Sequence, residues 1–154
     1  QIPIQNLNKR EYRRQVGTFL QGHEIFMGTL IENITLGQTD ISTEMIIHQA
    51  HKLGFVNFLQ YFPMGFDTVL DPMGKKISET LKKKILLIRA TIGKKSLLLL
   101  EEPWSGLPSE IQENLKHYFL NELPNVTVII ATNDSDYLSK CSAKFEVGKG
   151  VILN

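Results

Sequence analysis

The sequence predicts an α/β fold with a parallel sheet, on three observations. Two short apolar runs, Leu97–Leu100 and Val126–Ala131, have the length and flanks of buried strands. Amphipathic helical patterns precede and separate them. Strands and helices alternate along the chain, which is expected to put helices on both faces of the sheet.

Each element has a local reason. Val16–Leu20 is a short β-favouring run. Ser42–Leu53 reads as a helix whose Ile46, Ile47, Ala50 and Leu53 share one face, with Gly54 placed as a C-terminal cap. Phe55–Phe62 continues as a short aromatic helix that Pro63 stops. From Ser78 to Ile92, Leu81, Ile85, Ile88 and Ile92 form an apolar stripe, and Lys82, Lys83 and Lys84 take the other positions. Leu97–Leu100 follows as a strand buried on both faces. Ser109 opens the next helix, with Gln112 completing a capping box and Ile111, Leu115 and Phe119 as its stripe. Val126–Ala131 is a second buried strand, and Phe145–Val147 and Val151–Leu153 flank Gly148-Lys149-Gly150 as a hairpin.

Composition narrows the function classes. Hydrophobic residues are 42% and charged residues 21%, which excludes a disordered tail or a fibrous repeat. Seventeen basic against sixteen acidic residues give a net charge of +1, so no global field draws the chain to nucleic acid. The single cysteine, Cys141, excludes an internal disulfide and points to a reducing compartment. No apolar run approaches the roughly twenty residues of a membrane span. The chain opens Gln-Ile-Pro-Ile, with no signal-peptide pattern and no initiator methionine, as expected of a piece of something larger.

Three features could carry chemistry. Glu101 and Glu102 end the leucine strand, and strand alternation points them differently. One can hold a Mg²⁺ ion through water while the other orients a nucleophilic water; equally, they are a strand end surfacing into solvent. Eight basic residues between Lys75 and Lys95 form either a phosphate-binding face or the solvated side of a helix. His48 and His51 share a helix without a third ligand, as surface histidines do. No glycine begins a phosphate loop of the form G-x-x-x-x-G-K-[ST]; Gly93-Lys94-Lys95-Ser96 is a partial echo that precedes a strand.

The order of these segments resembles the nucleotide-binding domain of ATP-binding cassette (ABC) transporters of the exporter type, over nearly the whole chain. The stretch from Phe19 through Gln21, Phe26, Gly28, Thr29, Glu32 and Asn33 to Ile34 looks like the Q-loop region, and residues 2–14 like the segment just upstream. Gly65-Phe66-Asp67-Thr68-Val69, with Gly74 before Ile77-Ser78, looks like the run into the signature motif. Leu97–Pro103 looks like the Walker B strand, Ser105-Gly106-Leu107-Pro108 like the D-loop, and Val128–Asn133 like the strand entering the H-loop. The resemblance implies a partial P-loop NTPase core with a parallel sheet and an α-helical subdomain, lacking the N-terminal phosphate-loop half. It implies a helical subdomain at about 29–92 and an α/β core at 1–28 and 93–154. In that sheet Val16–Leu20 lies beside Leu97–Leu100, with Val126–Ala131 beyond.

By the resemblance, Gln21 and Glu101 serve a Mg²⁺ ion through water, Glu102 polarises the attacking water, and Asn133 stands where the switch histidine belongs. Departures accompany these matches. The signature loop reads Ile77-Ser78-Glu79-Thr80-Leu81 instead of L-S-G-G-Q, Pro108 replaces the D-loop aspartate, and Asp71-Pro72-Met73 replaces most of a G-E-x segment. Glu79 would set a carboxylate near a phosphate of the opposite subunit. Two unit charges about 4 Å apart repel by roughly 4 kcal/mol at an effective dielectric of 20. The implied cofactors are ATP and Mg²⁺. The implied partners are the transmembrane domains of a transporter and a second nucleotide-binding domain, with no nucleic acid, on the cytoplasmic side of the cell membrane. The implied function couples ATP binding and hydrolysis to export. The alternative is a non-catalytic module that kept the fold and partners a competent half, or, within the same superfamily, a DNA-binding chromosome-structure ATPase that would need the lysine cluster.

Without the phosphate-loop strand, Val126–Ala131 is expected to be an open edge, covered either by the Phe145–Leu153 hairpin or by a second chain.

Overall fold

The computed structural model describes residues 3, 6, 8–72, 76–148 and 151–153. Met73, Gly74, Lys75 and the hairpin-turn residues Lys149 and Gly150 lie outside the described residues, as do most of residues 2–7. Parallel pairing of three strands organises the core: β1 (Val16–Phe19), β4 (Leu97–Glu101) and β5 (Thr127–Ala131), in the order β1-β4-β5. Val16 pairs with Leu97 and Leu97 with Thr127, so equivalent positions of all three strands share a face. Between and around them run α1 (Lys9–Gln15), α2 (Leu30–Thr35), α3 (Thr43–Lys52), α4 (Glu79–Thr91), α5 (Ser109–Asn121) and α6 (Ser135–Ser139). A two-stranded ribbon joins β2 (Gly28–Thr29) to β3 (Val69–Leu70), and a separate hairpin pairs β6 (Glu146–Gly148) with β7 (Val151–Leu153). The strand order and both long helices agree with the expectation from sequence.

The two faces of the sheet differ. Gly17, Phe19, Leu98 and Leu100 are buried on one face, where α4 crosses β1 so closely that a Cβ on Gly17 would stand 1.8 Å from the Ala90 carbonyl oxygen. Only a glycine lets the helix approach this far. Gln49 of α3 ties three helices together on this side, donating to Thr91 Oγ1 of α4 and to Tyr118 Oη of α5, each at 2.9 Å. On the opposite face Leu97 and Leu99 are half-buried and Ile129 is 56% exposed. Thus neither strand is buried on both faces as the apolar runs suggest. Nor does the hairpin cover the edge: among the described residues, β5 pairs only with β4.

Local departures have local causes. Gly54 adopts φ +77° and lets the Phe55 amide bond back to Ala50 O and the Gly54 amide to His51 O, closing α3 as a Schellman cap. Ile47 turns out to be exposed, since a helix rotates about 100° per residue and Ile46 holds the core position. Left-handed Asn57 breaks the aromatic segment, leaving one 3₁₀ turn at Phe58–Tyr61. The capping box expected of Ser109 and Gln112 does not form. Pro108 occupies the cap position, so Ser109 sits one residue too late, and Gln112 Nε2 instead donates to Leu107 O at 2.7 Å. The capping box that does exist is at Thr29 and Glu32, at the start of α2.

One buried polar network joins the helical layer to the loop after β1. Asn33 is fully buried. Its Nδ2 donates to the carbonyls of Phe26 and Thr29, and its Oδ1 accepts from the Phe26 amide at 3.1 Å. Arg89, from α4, donates to Asn33 Oδ1, to Asn33 O and to Glu24 O. Burial brings the Arg89 pKa down to about 10, still far above neutrality, so the guanidinium stays charged. The Phe26 amide and the carbonyls of Glu24, Phe26, Thr29 and Asn33 are therefore partnered here.

The asymmetry of the sheet gives a direct stability test. Leu98→Ala empties a fully buried site and should cost about 2–5 kcal/mol in denaturant unfolding. Ile129→Ala, on the open face, should stay within about 1 kcal/mol. Equal losses would contradict the one-sided core.

Candidate functional site

The C-terminal ends of the three parallel strands bring together Gln21, Glu101, Glu102, Thr132 and Asn133. The backbone amide of Gln21, two residues past β1, donates to Glu101 Oε2 at 3.0 Å. The strand ends at Glu101 and the chain then turns, so the Glu102 side chain leaves the strand and takes partners different from those of Glu101. Glu102 carries two contacts from beyond β5: Thr132 Oγ1 donates to Oε2 at 3.0 Å and the Asn133 amide donates to Oε1 at 2.9 Å. Both carboxylates are half-buried. They border a cleft of about 320 Å³ that Gln21, Glu24, Glu79, Lys82, Lys83 and Ser105 also line.

Glu102 holds a left-handed backbone at φ 42°. For a residue with a side chain this costs on the order of 1–3 kcal/mol, so surrounding bonds must impose it. Its amide donates to Ala131 O, and its carbonyl accepts from the Ser105 amide. Lys83 of α4 adds a third hold, with Nζ donating to Glu102 O at 3.2 Å and to Ser105 O. Burial lowers the Lys83 pKa, and the negative charge of Glu102 opposes that shift. Within the same turn Trp104 is buried, 4.5 Å from Tyr137 between ring centroids, and Leu107 is buried behind Gly106 at φ +74°. Pro108 caps α5 without a side-chain bond.

The residues aligned with a signature loop begin α4. Ser78 is its N-cap, with Oγ accepting from the Leu81 amide at 3.2 Å. Glu79 is the first helical residue, its side chain 87% exposed and 3.0 Å from Lys82 Nζ. Thr80 and Ile77 are half-buried, but Leu81 is a core residue at 8% exposure. Lys82 also reaches Glu24 at 3.6 Å, linking this loop to the segment after Gln21, and the two carboxylates raise its pKa. The basic run therefore does not act as one face: Lys76 and Lys94 are exposed, and Lys75 lies outside the described residues. Lys82 pairs with carboxylates, Lys83 holds carbonyls, and Lys84 lies over the rings of Phe55 and Tyr61. Three consecutive helical residues point some 100° apart each, so they could not have shared one face; that was the legible signal.

Basic charge gathers elsewhere. All four arginines of the chain, Arg10, Arg13, Arg14 and Arg89, line a cleft of about 810 Å³ beside β1. Arg89 is committed to backbone carbonyls and Arg14 pairs with Asp40 and Glu11. His48 and His51 are exposed, and no group of three His, Cys, Asp or Glu side chains converges among the described residues.

Tested against Mg-ATP, the strand-end residues fit one side of such a site. Two divergent carboxylates and an amide at the carboxyl ends of parallel strands suit water-mediated metal binding and water orientation. The phosphate side does not fit. The chain has no phosphate-loop glycines, and the first turn of α4 offers a carboxylate where an anion would need bare amides.

No family model matches the chain. It is 27% identical over 151 residues, 98% of its length, to ABC transporter B family member 1 of Dictyostelium discoideum, and covers 17% of that protein. It is 30% identical over 127 residues, 82% of its length, to the uncharacterized ABC transporter ATP-binding protein YfiC of Bacillus subtilis, covering 21% of it. Its fold matches a bacterial Atm1-family ABC exporter solved with ATP bound, with a TM-score of 0.75 at 20% identity, over 88% of this chain and 24% of that one. Along most of its length the chain is thus similar in sequence to ABC transporter proteins and shares the fold of part of an ABC exporter, and it spans about a fifth of the length of these relatives.

Proposed function

We propose that this chain is the C-terminal part of an exporter-type ATP-binding domain that couples ATP binding and hydrolysis to transport. The observation that carries it is the convergence of Gln21, Glu101, Glu102 and Asn133 at the carboxyl ends of β1, β4 and β5, where ligands bind in open parallel sheets. The relatives support the same reading across nearly the whole chain. Residues 29–92 act as the helical subdomain, and 1–28 with 93–154 as the α/β core.

In this reading Gln21 and Glu101 hold Mg²⁺ through water, and Glu102 orients and polarises a water molecule. Asn133 donates a hydrogen bond but carries no proton to transfer. The D-loop residues Ser105 to Pro108 and the signature residues Ile77 to Leu81 face a second ATP-binding domain. The phosphate cradle comes from a segment outside this chain, and membrane-spanning domains are the working partners, a reading that the similarity to transporter proteins supports. The chain's place is then on the cytoplasmic side of the membrane.

In the assembled transporter, Glu102→Gln should reduce ATP turnover by about 100-fold or more while nucleotide binding persists, because the amide keeps shape but polarises water poorly. Full turnover in the variant would sink the catalytic role. The signature departure is testable separately. Glu79→Gly with Thr80→Gly should raise turnover by removing a carboxylate from the phosphate-facing turn; Leu81 is left in place because it is buried. An unchanged rate would show that Glu79 does not face the phosphate.

A further inference from the structure

We infer that Lys83 is a positioning residue, which holds the Glu102–Ser105 turn so that the Glu102 carboxylate faces the end of β5. This rests on the reading of Glu102 as the water-polarising group.

The argument begins with the backbone. Glu102 sits in a left-handed conformation that an L-residue avoids unless its surroundings enforce it. That conformation swings the Glu102 side chain off the strand and onto Thr132 and Asn133. Relaxing it to an extended backbone would continue the strand's alternation and carry the carboxylate elsewhere. Two carbonyls of the turn, those of Glu102 and Ser105, converge on one donor, the Lys83 ammonium. An ammonium has three donors and no acceptor, which suits a hub of carbonyl oxygens. The same ammonium lies 5.5 Å from the centroid of Phe19 at the end of β1, so its stem is packed and its head directed. It is the only one of the three adjacent lysines that reaches the turn; Lys82 goes to Glu24 and Glu79, and Lys84 to Phe55 and Tyr61.

Lys83 also lies one helical turn from Glu79, so α4 carries both the loop facing a second domain and the prop under Glu102. A shift of α4 along its axis would therefore move the prop and the carboxylate together.

The chain contains its own reporter. Trp104, its single tryptophan, lies inside the propped turn, buried against Tyr137. Its emission can be read on the 154-residue chain without any ATPase activity. Lys83→Met keeps the stem on Phe19 and removes the donors. It should shift Trp104 emission to the red and increase acrylamide quenching, whereas Lys83→Arg, which restores donors, and Lys84→Met, the neighbouring control, should match the parent. In the assembled transporter Lys83→Met should lower kcat by about tenfold to a hundredfold with the KM for Mg-ATP little changed, the split expected when a reacting group is misplaced and binding is intact. Lys83→Arg should recover most of that loss.

Unchanged emission in Lys83→Met overturns the proposal whatever the kinetics show, and so does a raised KM with kcat intact. If Lys83→Met fails to fold, Lys83→Gln reads the same emission with a shorter side chain and a single amide. If the unmutated transporter shows no turnover, the reading of Glu102 falls, and the emission still decides whether Lys83 holds the turn.

Discussion

The buried contact between Arg89 and Asn33 is the constraint on which the site depends. Arg89 comes from the last turn of α4, and Asn33 from α2, yet the Glu24 and Phe26 carbonyls and the Phe26 amide that they satisfy belong to the loop that leaves β1. That loop carries Gln21 and Glu24. Without the pair, the part-buried amide and carbonyl contacts of Phe26 would lose their partners, at a cost of up to about 1–3 kcal/mol for each group left unpaired. The pair therefore fixes how α4 lies on the sheet. From that follow the close approach at Gly17, the reach of Lys82 to Glu24 and the reach of Lys83 to the Glu102 turn.

The sheet supplies the other half of the geometry. Parallel strands in register end together, so Gln21, Glu101 and Asn133, far apart in sequence, meet at one end. α4 then sets the angle at which they are presented. The site is thus held from two directions: by backbone register within the sheet, and by cationic side chains from the helix above it. The opposite face stays open at Ile129, and among the described residues the far edge of β5 is unpaired.

Much of this was legible in the sequence. The four-leucine strand, the Ser78–Ile92 helix and the Gly54 cap follow from period and cap chemistry, and Gln21, Glu101 and Glu102 were found by motif. What was not legible is instructive. The four-leucine run predicts a strand buried on both faces, but Leu97 and Leu99 are only half-buried, because what covers a strand's second face is not written in its own letters. The Ser109–Gln112 box failed because a proline one residue earlier took the cap. Lys82, Lys83 and Lys84 stand off the apolar stripe as the period predicts, but the partner that each one reaches is not written in the period. Asn33 sits in the Q-loop stretch that was recognised, yet its role as a buried hub depends on Arg89, which is 56 residues away in sequence. No local pattern encodes that meeting.

A double-mutant cycle on Arg89 and Asn33 tests the central claim most directly, with Arg89→Met and Asn33→Leu made singly and together and stability read by denaturant unfolding. If the two side chains form one network that fixes α4 on the loop after β1, their effects will be non-additive, with a coupling energy of about 1–3 kcal/mol. Additive losses, with coupling indistinguishable from zero, would contradict the account.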